Sequence, residues 1–95
     1  MTPSSTYYVY CMLFDGITYT GYTENLSKRL NQHRKGLSIT TKGYIKKYGK
    51  PIAIYYREFE TKMKALKYEK TFKKYSLKRK LSLFNNDHFG EVMTG

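Results

Sequence analysis

The chain has 95 residues, a length that suits one domain and excludes two of ordinary size. Its 18 Lys and Arg outnumber its 7 Asp and Glu, and the formal net charge of +11 favours a polyanionic partner, with nucleic acid ahead of an acidic membrane surface. The 11 Tyr and the absence of Trp favour nucleic acid over lipid, because helices that lie on membranes usually carry Trp, Phe and Leu on their apolar side.

The cysteine and histidine content excludes an internal disulfide and a zinc site. Cys11 is the single cysteine, so an internal disulfide is excluded, and its place in an apolar run predicts a small core residue. His and Cys are too few and too scattered for a zinc site. The N-terminal stretch lacks the features of a signal peptide, and no apolar run approaches the length that spans a bilayer. We therefore expect an intracellular protein, cytoplasmic or nuclear, without a membrane partner.

Two apolar runs near the N-terminus predict a β-hairpin. A flexible polar start is predicted at 1–6, a strand buried on both faces at 7–14, and a second strand at 17–21. The Asp15-Gly16 pair between the strands is typical of a two-residue turn of type I′. A turn of that length fixes which residues of the two strands face each other.

The register of this hairpin puts two tyrosines on one face. Tyr10 lies opposite Gly21, and Tyr19 becomes its diagonal neighbour on the same side of the sheet. Gly21 carries no side chain and therefore leaves an opening opposite Tyr10. The two tyrosines either cap an edge of the core or belong to a functional site.

The next segment predicts a basic amphipathic helix. Thr23 is predicted as its N-cap, and Leu26 and Leu30 as its buried stripe. Arg29 and His33 are four residues apart and share a second face. An arginine presents a fork of N–H donors that fits phosphate, so this face is a candidate phosphate site.

The remaining elements complete an α+β pattern. The sequence predicts a loop at 37–43, a short helix at 44–48, a third strand at 52–59, a helix at 61–75, a last helix capped by Ser76, and a loose tail at 85–95. The order is strand, strand, helix, helix, strand, helix, helix. It predicts a single domain at 7–84 with a small three-stranded antiparallel sheet flanked by helices.

Glu69 is predicted on the inner side of the helix at 61–75, between the apolar residues Ala65, Leu66 and Phe72. A carboxylate is costly to bury unless it is paired or binds a metal ion. One explanation is an ion pair with Lys73, four residues further on. The other is a ligand for one divalent cation, Mg²⁺ or Mn²⁺, which a single carboxylate can hold while the ion keeps several waters.

Half of all Lys and Arg residues lie at 62–80, around Glu69. Any one of these side chains taken alone is better explained as a solvated charge, whereas the cluster as a whole is predicted to follow phosphate groups. The candidate nucleic-acid-binding residues are Lys28, Arg34, Lys67, Lys70, Lys73, Lys74, Lys78 and Arg79.

These side chains suit the hydrolysis of a phosphodiester. The reaction needs an activated water, stabilised phosphoryl charge and help for the leaving oxygen. A tyrosine is a poor base at its usual pKa near 10, and we expect dense positive charge to lower the pKa of Tyr10 or Tyr19, either of which is then the candidate base. His33 is expected to assist proton transfer or to hold a tyrosine hydroxyl.

The pattern as a whole resembles the GIY-YIG nuclease domain, above all its small stand-alone members, over residues 7–84. Tyr8-Val9-Tyr10 is similar to the first motif and Tyr19-Thr20-Gly21 to the second, although Tyr8 replaces a glycine and Thr20 an isoleucine. The segment at 25–30 resembles the helix with the catalytic arginine, and the segment at 65–70 the one with the metal-binding glutamate.

The resemblance implies a metal-dependent endonuclease that hydrolyses DNA, with branched, nicked and single-stranded DNA as candidate substrates. It implies an active site of Tyr10, Tyr19, Arg29, His33 and Glu69, in which Glu69 holds the Mg²⁺ or Mn²⁺ ion. No small-molecule cofactor is expected, and the protein is expected to be a monomer or a weak dimer.

Two other functions remain open at the level of the sequence. Charge and tyrosines alone would bind phosphates and stack on bases, so a nucleic-acid-binding module without catalysis is the alternative. Arg29 and Glu69 would then be structural. A basic protein-interaction or assembly factor is the third interpretation, and it predicts no salt-dependent affinity for DNA.

Overall fold

The computed structural model describes residues 6–34, 39–86 and 89–92, with the side chains of 34 and 39–42 excepted. The predicted polar start therefore lies almost wholly outside the described residues. The elements in chain order are β1 (Tyr7–Leu13), β2 (Thr18–Thr23), α1 (Leu26–Arg34), α2 (Ile39–Tyr48), β3 (Ala53–Phe59), α3 (Lys62–Phe72), α4 (Leu77–Asn85) and β4 (Gly90–Val92). In these ranges, no helix is both long and apolar enough to cross a membrane.

The fold is α+β, and its antiparallel sheet has four strands in the order β2-β1-β3-β4. The prediction of three strands is wrong, because Gly90–Val92 forms a fourth strand in a segment for which the sequence predicted none. Val92 pairs with Ile54, and Gly90 pairs with Tyr56. A three-residue strand is too short to show an alternating pattern, so only its contact with β3 identifies it.

The predicted hairpin is confirmed, including its register. The Phe14 N–H donates to the Ile17 carbonyl at 2.8 Å across a turn in which Gly16 has a φ of 78°. Tyr10 pairs with Gly21 as predicted. Glycine suits the turn because other residues rarely adopt a positive φ.

The start of α1 differs from the prediction. Asn25 is its cap, because the Asn25 Oδ1 accepts a hydrogen bond from the Lys28 N–H at 3.1 Å. Thr23, the predicted cap, instead ends β2, and its hydroxyl accepts from the Asn25 N–H at 3.1 Å. The two residues form a short turn that leads from the sheet directly into the helix.

The second helix is longer than predicted. α2 begins at Ile39 and takes in most of the segment predicted as a loop at 37–43, of which 37 and 38 lie outside the described residues. Three β-branched residues followed by a lysine and a glycine give weak local helix propensity, which explains the wrong prediction. The helix ends as predicted at Gly49, which has a φ of 80°.

The last two helices begin at the predicted caps. The Thr61 hydroxyl accepts from the Lys64 N–H, and the Ser76 hydroxyl accepts from the Arg79 N–H, both at 3.2 Å. The predicted burial of Leu66 is wrong, because 40% of this residue is exposed. It lies one position beyond the buried face of α3, about 100° around the helix.

The sheet separates two hydrophobic clusters. Tyr10, Met12 and Ile54 pack with residues of α1 and α2 on one face. Cys11 packs on the other face with Phe72 and Phe84 of the last two helices. Because successive side chains point to opposite faces, β1 is buried on both sides, as its apolar run predicts. Cys11 is a core residue, as expected.

Candidate active site

The ring of Tyr10 lies over Gly21 on the neighbouring edge strand. A Cβ added at position 21 would stand 2.5 Å from the Tyr10 hydroxyl oxygen. Only a glycine there lets the phenol of a central strand pass over β2 without displacement. The opening that the sequence predicts is therefore occupied by Tyr10 itself, and 2% of this residue is exposed.

The Tyr10 hydroxyl meets His33 on α1. Its oxygen lies 2.9 Å from the His33 Nε2, which fulfils the expectation that His33 holds a tyrosine hydroxyl. Tyr19 completes a group of three rings, with centroids 6.3 Å from Tyr10 and 6.1 Å from His33. These contacts hold the rings in fixed orientations around one point at the edge of the sheet.

Tyr44 supports this group from α2, and the sequence analysis did not identify it. Its ring centroid lies 5.4 Å from that of Tyr19 in an edge-to-face contact, and 5.8 Å from that of Phe14. Tyr44 and Tyr48 are four residues apart on one helix, a spacing that could have indicated a shared face.

The pKa of Tyr10 contradicts the prediction of a lowered tyrosine pKa at this residue. Burial raises it well above its usual value, and the hydroxyl of Tyr19 adds to the increase. The positive charge of Arg29 acts in the opposite direction, but desolvation of the phenolate outweighs it. Tyr10 therefore keeps its proton at neutral pH.

His33 is neutral at the same pH. Burial, followed by the nearby charge of Arg29, lowers its pKa to about 4. With Nδ1 protonated, the imidazole accepts at Nε2 the hydrogen bond that the Tyr10 hydroxyl donates. The pair is a neutral, buried hydrogen bond between a central strand and α1.

Arg29 and Glu69 approach this pair from different elements. Arg29 lies on α1 and is half-buried. Glu69 lies on α3, which packs against β1 and β2. Both charges act on the Tyr10 hydroxyl, Arg29 lowering its pKa and Glu69 raising it. Contacts thus join Tyr10, Tyr19 and His33, and the charges of Arg29 and Glu69 act on the hydroxyl of Tyr10.

Glu69 is shielded and also takes part in an ion pair. Its side chain is 17% exposed, and its Oε2 lies 3.6 Å from the Nζ of Lys73. Lys73 is 55% exposed. A pair of this kind at the surface of a helix contributes about 0.3–0.5 kcal/mol. This free energy is small compared with the cost of removing a carboxylate from water. The ion pair alone therefore does not explain why Glu69 is shielded from solvent.

The donor set suits a hard divalent cation. In the described ranges, no group of three or more His, Cys, Asp and Glu could hold a metal ion. A zinc site with four protein ligands does not fit such a set. Mg²⁺ or Mn²⁺ fits, since these ions are held by one or two carboxylates and keep several waters. Glu69 is the residue that would hold the ion.

The predicted basic surface is exposed. Every predicted member on α3, on α4 and in the turn between them is exposed, namely Lys67, Lys70, Lys73, Lys74, Lys78 and Arg79. The Arg79 guanidinium lies 4.1 Å from the ring centroid of Tyr75. The Arg34 side chain lies outside the described residues. Lys80 is buried at 7% exposure, and its Nζ donates to the Thr18 Oγ1 at 2.9 Å, so this lysine does not belong to the surface.

Two cavities lie beside α1. One of about 310 Å³ is lined by residues that include Tyr22, Lys28 and Arg29. The other, of about 470 Å³, is lined by residues that include the carboxylates of Glu24, Glu58 and Glu91. Glu24 lines both. The two cavities therefore carry opposite charge around one helix.

The site and fold define the class of protein. Residues 4–82 match the GIY-YIG catalytic domain, and the chain belongs to the GIY-YIG family of nuclease domains. It is similar to small bacterial proteins named UPF0213. It is 39% identical over 84 residues to one from Bacillus licheniformis, covering 84% of this chain and 79% of the relative.

Two further relatives come from staphylococci. The chain is 36% identical over 72 residues to a UPF0213 protein of Staphylococcus saprophyticus, covering 75% of this chain and 83% of the relative. It is 36% identical over 70 residues to one of Staphylococcus aureus, and the match covers 73% of this chain and 80% of the relative. These names state no activity. No solved structure matches the chain significantly.

Proposed function

We propose that this protein is a divalent-metal-dependent endonuclease that hydrolyses phosphodiester bonds in DNA. Membership of the GIY-YIG family points to endonuclease activity in general. The observation that carries the finer proposal is the buried hydrogen bond between Tyr10 and His33, at 2.9 Å, with the charges of Arg29 and Glu69 beside it. A core that served stability alone would gain nothing from two opposite charges around a buried phenol.

The tyrosines have different parts in this proposal. Tyr10 is buried and protonated, so it positions its neighbours and does not act as the base. Tyr19 is half-buried and therefore accessible to a water molecule. Tyr19 orients the attacking water, and the Tyr10 hydroxyl links it to the neutral His33. This chain of hydroxyl groups provides a path along which the proton of the water passes to the His33 Nε2, the neutral nitrogen at its end.

The charged residues act on the phosphate. Arg29 is half-buried, and its guanidinium binds two phosphoryl oxygens as charge develops in the transition state. Glu69 would hold the Mg²⁺ or Mn²⁺ ion, which when bound supplies positive charge to the phosphoryl and leaving oxygens. The exposed basic surface of α3 and α4 holds the DNA backbone and carries no sequence information of its own.

The experiment is a cleavage assay on duplex, nicked, single-stranded, flapped and four-way DNA with Mg²⁺ or Mn²⁺. The wild type is compared with Glu69→Gln and Arg29→Lys, and with Glu60→Gln as a control that changes an exposed carboxylate. We expect the wild type and Glu60→Gln to cleave DNA, and we expect Glu69→Gln and Arg29→Lys to lose this activity. Cleavage that survives both Glu69→Gln and EDTA would overturn the proposal.

A binding measurement on the same DNAs and the same four proteins, repeated at several salt concentrations, separates the alternatives. Binding without cleavage, equal in all four proteins, would identify a nucleic-acid-binding module. Absence of any salt-dependent affinity for DNA would favour a protein-interaction factor.

A further inference from the structure

Two arginines on different elements act on one tyrosine of α3. Arg57 belongs to β3, and its guanidinium carbon lies 4.9 Å from the centroid of the Tyr68 ring. Arg79 belongs to the first turn of α4, and its guanidinium carbon lies 4.1 Å from the ring centroid of Tyr75, which follows α3. Burial raises the pKa of Tyr68, and the positive charges of Arg57 and Arg79 oppose this increase. Both guanidinium groups therefore act on the same hydroxyl group.

The described residues do not neutralise this pair of charges. In the ranges that the structure describes, neither Arg57 nor Arg79 forms an ion pair. Arg57 is half-buried, so its charge is also partly removed from water. Two positive charges that act on one point repel each other, and water screens this repulsion less where the groups are shielded. A negatively charged ligand would offset this cost.

Aromatic rings support Arg57 and leave most of its hydrogen-bond donors for a ligand. The guanidinium lies over the ring of Tyr68 and also over that of Phe59, 5.6 Å from the centroid. Such contacts use the flat face of the group, while its five N–H donors lie in its plane. One donor interacts with the Tyr68 hydroxyl. The remaining donors suit the oxygens of a phosphate, which an arginine can bind in pairs.

The arginine pair borders the candidate active site. Tyr68 directly precedes Glu69 on α3, so the two side chains lie about 100° apart around the helix. Exposed lysines lie on the same helix and in the turn that follows it, among them Lys70 and Lys74. A ligand that neutralises the arginines would therefore be held beside the proposed metal ligand. A DNA strand suits this arrangement, because its phosphate groups recur at regular intervals.

We propose that Arg57 and Arg79 bind the phosphate backbone of DNA, and that the rings of Tyr68 and Tyr75 hold the two guanidinium groups in place for this contact. The inference rests on the proposed function, because DNA is the proposed substrate. It extends the DNA contact from the exposed lysines of α3 and α4 to β3. The sequence analysis did not identify Arg57, because only the packing of β3 against α3 brings it to this surface.

The test measures binding without cleavage, by fluorescence anisotropy of a labelled DNA duplex in EDTA at several salt concentrations. Arg57→Gln and Arg79→Gln are each expected to weaken binding about tenfold, the usual worth of a hydrogen bond to a charged group. Each is also expected to lower the slope of log affinity against log salt by about 1. Arg57→Lys keeps the charge and loses the fork of donors, so it is expected to keep the slope and to bind more weakly than the wild type.

Lys47→Gln is the matched control. The Lys47 Nζ also lies over a tyrosine ring, 5.3 Å from the centroid of Tyr48. Its helix, α2, packs on the other face of the sheet. The substitution removes the same charge as Arg57→Gln, and it is expected to leave the affinity for DNA and the salt slope as they are in the wild type.

Thermal unfolding separates binding from a structural role. Arg79 is exposed, so Arg79→Gln is expected to weaken binding and to leave the unfolding midpoint unchanged. Arg57→Gln is expected to lower the midpoint, since it removes contacts with two rings. The midpoint is also measured with inorganic phosphate at constant ionic strength, which tests whether the arginines hold a free phosphate ion.

The outcomes are distinct. Weaker binding and a lower salt slope in Arg57→Gln and Arg79→Gln, with Lys47→Gln unchanged, supports the site even if the wild type proves unable to cut. Wild-type affinity in both arginine variants overturns the site and leaves the nuclease proposal standing. An equal loss in Lys47→Gln would show that binding follows net charge alone, and it overturns the site.

Two further results would also overturn the site. One is an increase of the unfolding midpoint with inorganic phosphate that both arginine variants lose while they keep their affinity for DNA, which would assign the arginines to a free phosphate ion. The other is the absence of DNA binding by the wild type. The nuclease proposal is decided separately, by the cleavage assay.

Discussion

The hydroxyl oxygen of Tyr10 occupies the space that a side chain at position 21 would need, 2.5 Å from the place of its Cβ. Tyr10 belongs to β1, and Gly21 is its partner on the edge strand β2. The contact directs the phenol toward the edge where α1 brings His33 within 2.9 Å. The missing side chain thus determines where the hydroxyl lies.

Gly21→Ala is therefore expected to displace Tyr10 and to abolish cleavage. An overpacked site of this kind costs about 1–3 kcal/mol of stability. Gly43→Ala is the control, because no described atom apart from its chain neighbours and its own helix backbone lies within 4 Å of a Cβ there, and the position is inside α2. It is expected to stabilise the protein by about 0.5–1 kcal/mol with full activity. Cleavage rates and urea unfolding measure both effects, and an active Gly21→Ala protein would contradict this account.

Tyr10→Phe removes the donor to His33 without a change of shape. The His33 Nε2 loses this partner in a buried place, and we expect a loss of about 1–3 kcal/mol of stability together with a loss of cleavage. The variant is measured by urea unfolding and by the cleavage assay. Unchanged stability would mean that the hydrogen bond contributes nothing to the fold.

The pKa of His33 predicts a dependence of stability on pH. Its pKa is about 4 in the folded protein and 6.5 without perturbation. As pH falls from 6.5 to about 4, the unfolded chain binds a proton that the folded protein does not, so stability falls in this window by at most about 1.4 kcal/mol per pH unit. Above pH 6.5, the titration of His33 does not make stability depend on pH.

Chemical unfolding of the wild type and His33→Gln across pH 4–7 tests this dependence. The difference between the two proteins isolates His33 from the carboxylates, which also titrate at the acid end of this range. A shallower slope in the variant is expected. Parallel curves would show that His33 titrates equally in the folded and unfolded states.

Metal binding distinguishes the two explanations of Glu69. If Glu69 holds the ion, Mg²⁺ or Mn²⁺ raises the unfolding midpoint of the wild type, because a ligand of the folded state stabilises it. Glu69→Gln is expected to lose this increase. Lys73→Met, which removes the ion pair, is expected to keep the increase and to cost no more than about 0.5 kcal/mol. Equal effects of metal on all three proteins would assign Glu69 to the ion pair.

The exposed and the buried lysines are expected to respond differently to substitution. Lys70→Gln and Lys74→Gln change exposed residues, and each is expected to lower the salt slope of DNA binding by about 1 with stability unchanged. Lys80→Met is expected to lower stability, because the Thr18 hydroxyl loses its donor, and to leave the salt slope as it is. Anisotropy and thermal unfolding measure the two quantities. The reverse pattern would place the DNA contact elsewhere.

The parts of the fold that the sequence predicts depend on local chemistry. The Asp15-Gly16 turn and the caps at Thr61 and Ser76 act over a few residues, so their positions follow from residue type. β4 and the start of α2 have no such signal. The pairing of Val92 with Ile54 joins distant parts of the chain, and only tertiary structure determines it.

In the candidate site, too, the sequence predicts the features that depend on local structure and misses those that depend on tertiary structure. The common face of Tyr10 and Tyr19 follows from the hairpin register, and the common face of Arg29 and His33 from helix periodicity. The approach of Glu69 depends on α3, which packs on the other side of the sheet. The raised pKa of Tyr10 depends on how deeply the phenol is buried, which no pattern of residue types measures.

The cavity lined by Glu24, Glu58 and Glu91 gives this strongly basic protein a negatively charged side. Under the proposed function, the phosphate groups of DNA are attracted to α3 and α4 and repelled at this cavity, so the field of the protein rotates the DNA before contact is made. The carboxylates therefore make an approach in the wrong orientation unfavourable. Substitution of these carboxylates would change the fraction of encounters with DNA that lead to binding, and it would leave the rate of the chemical step unchanged.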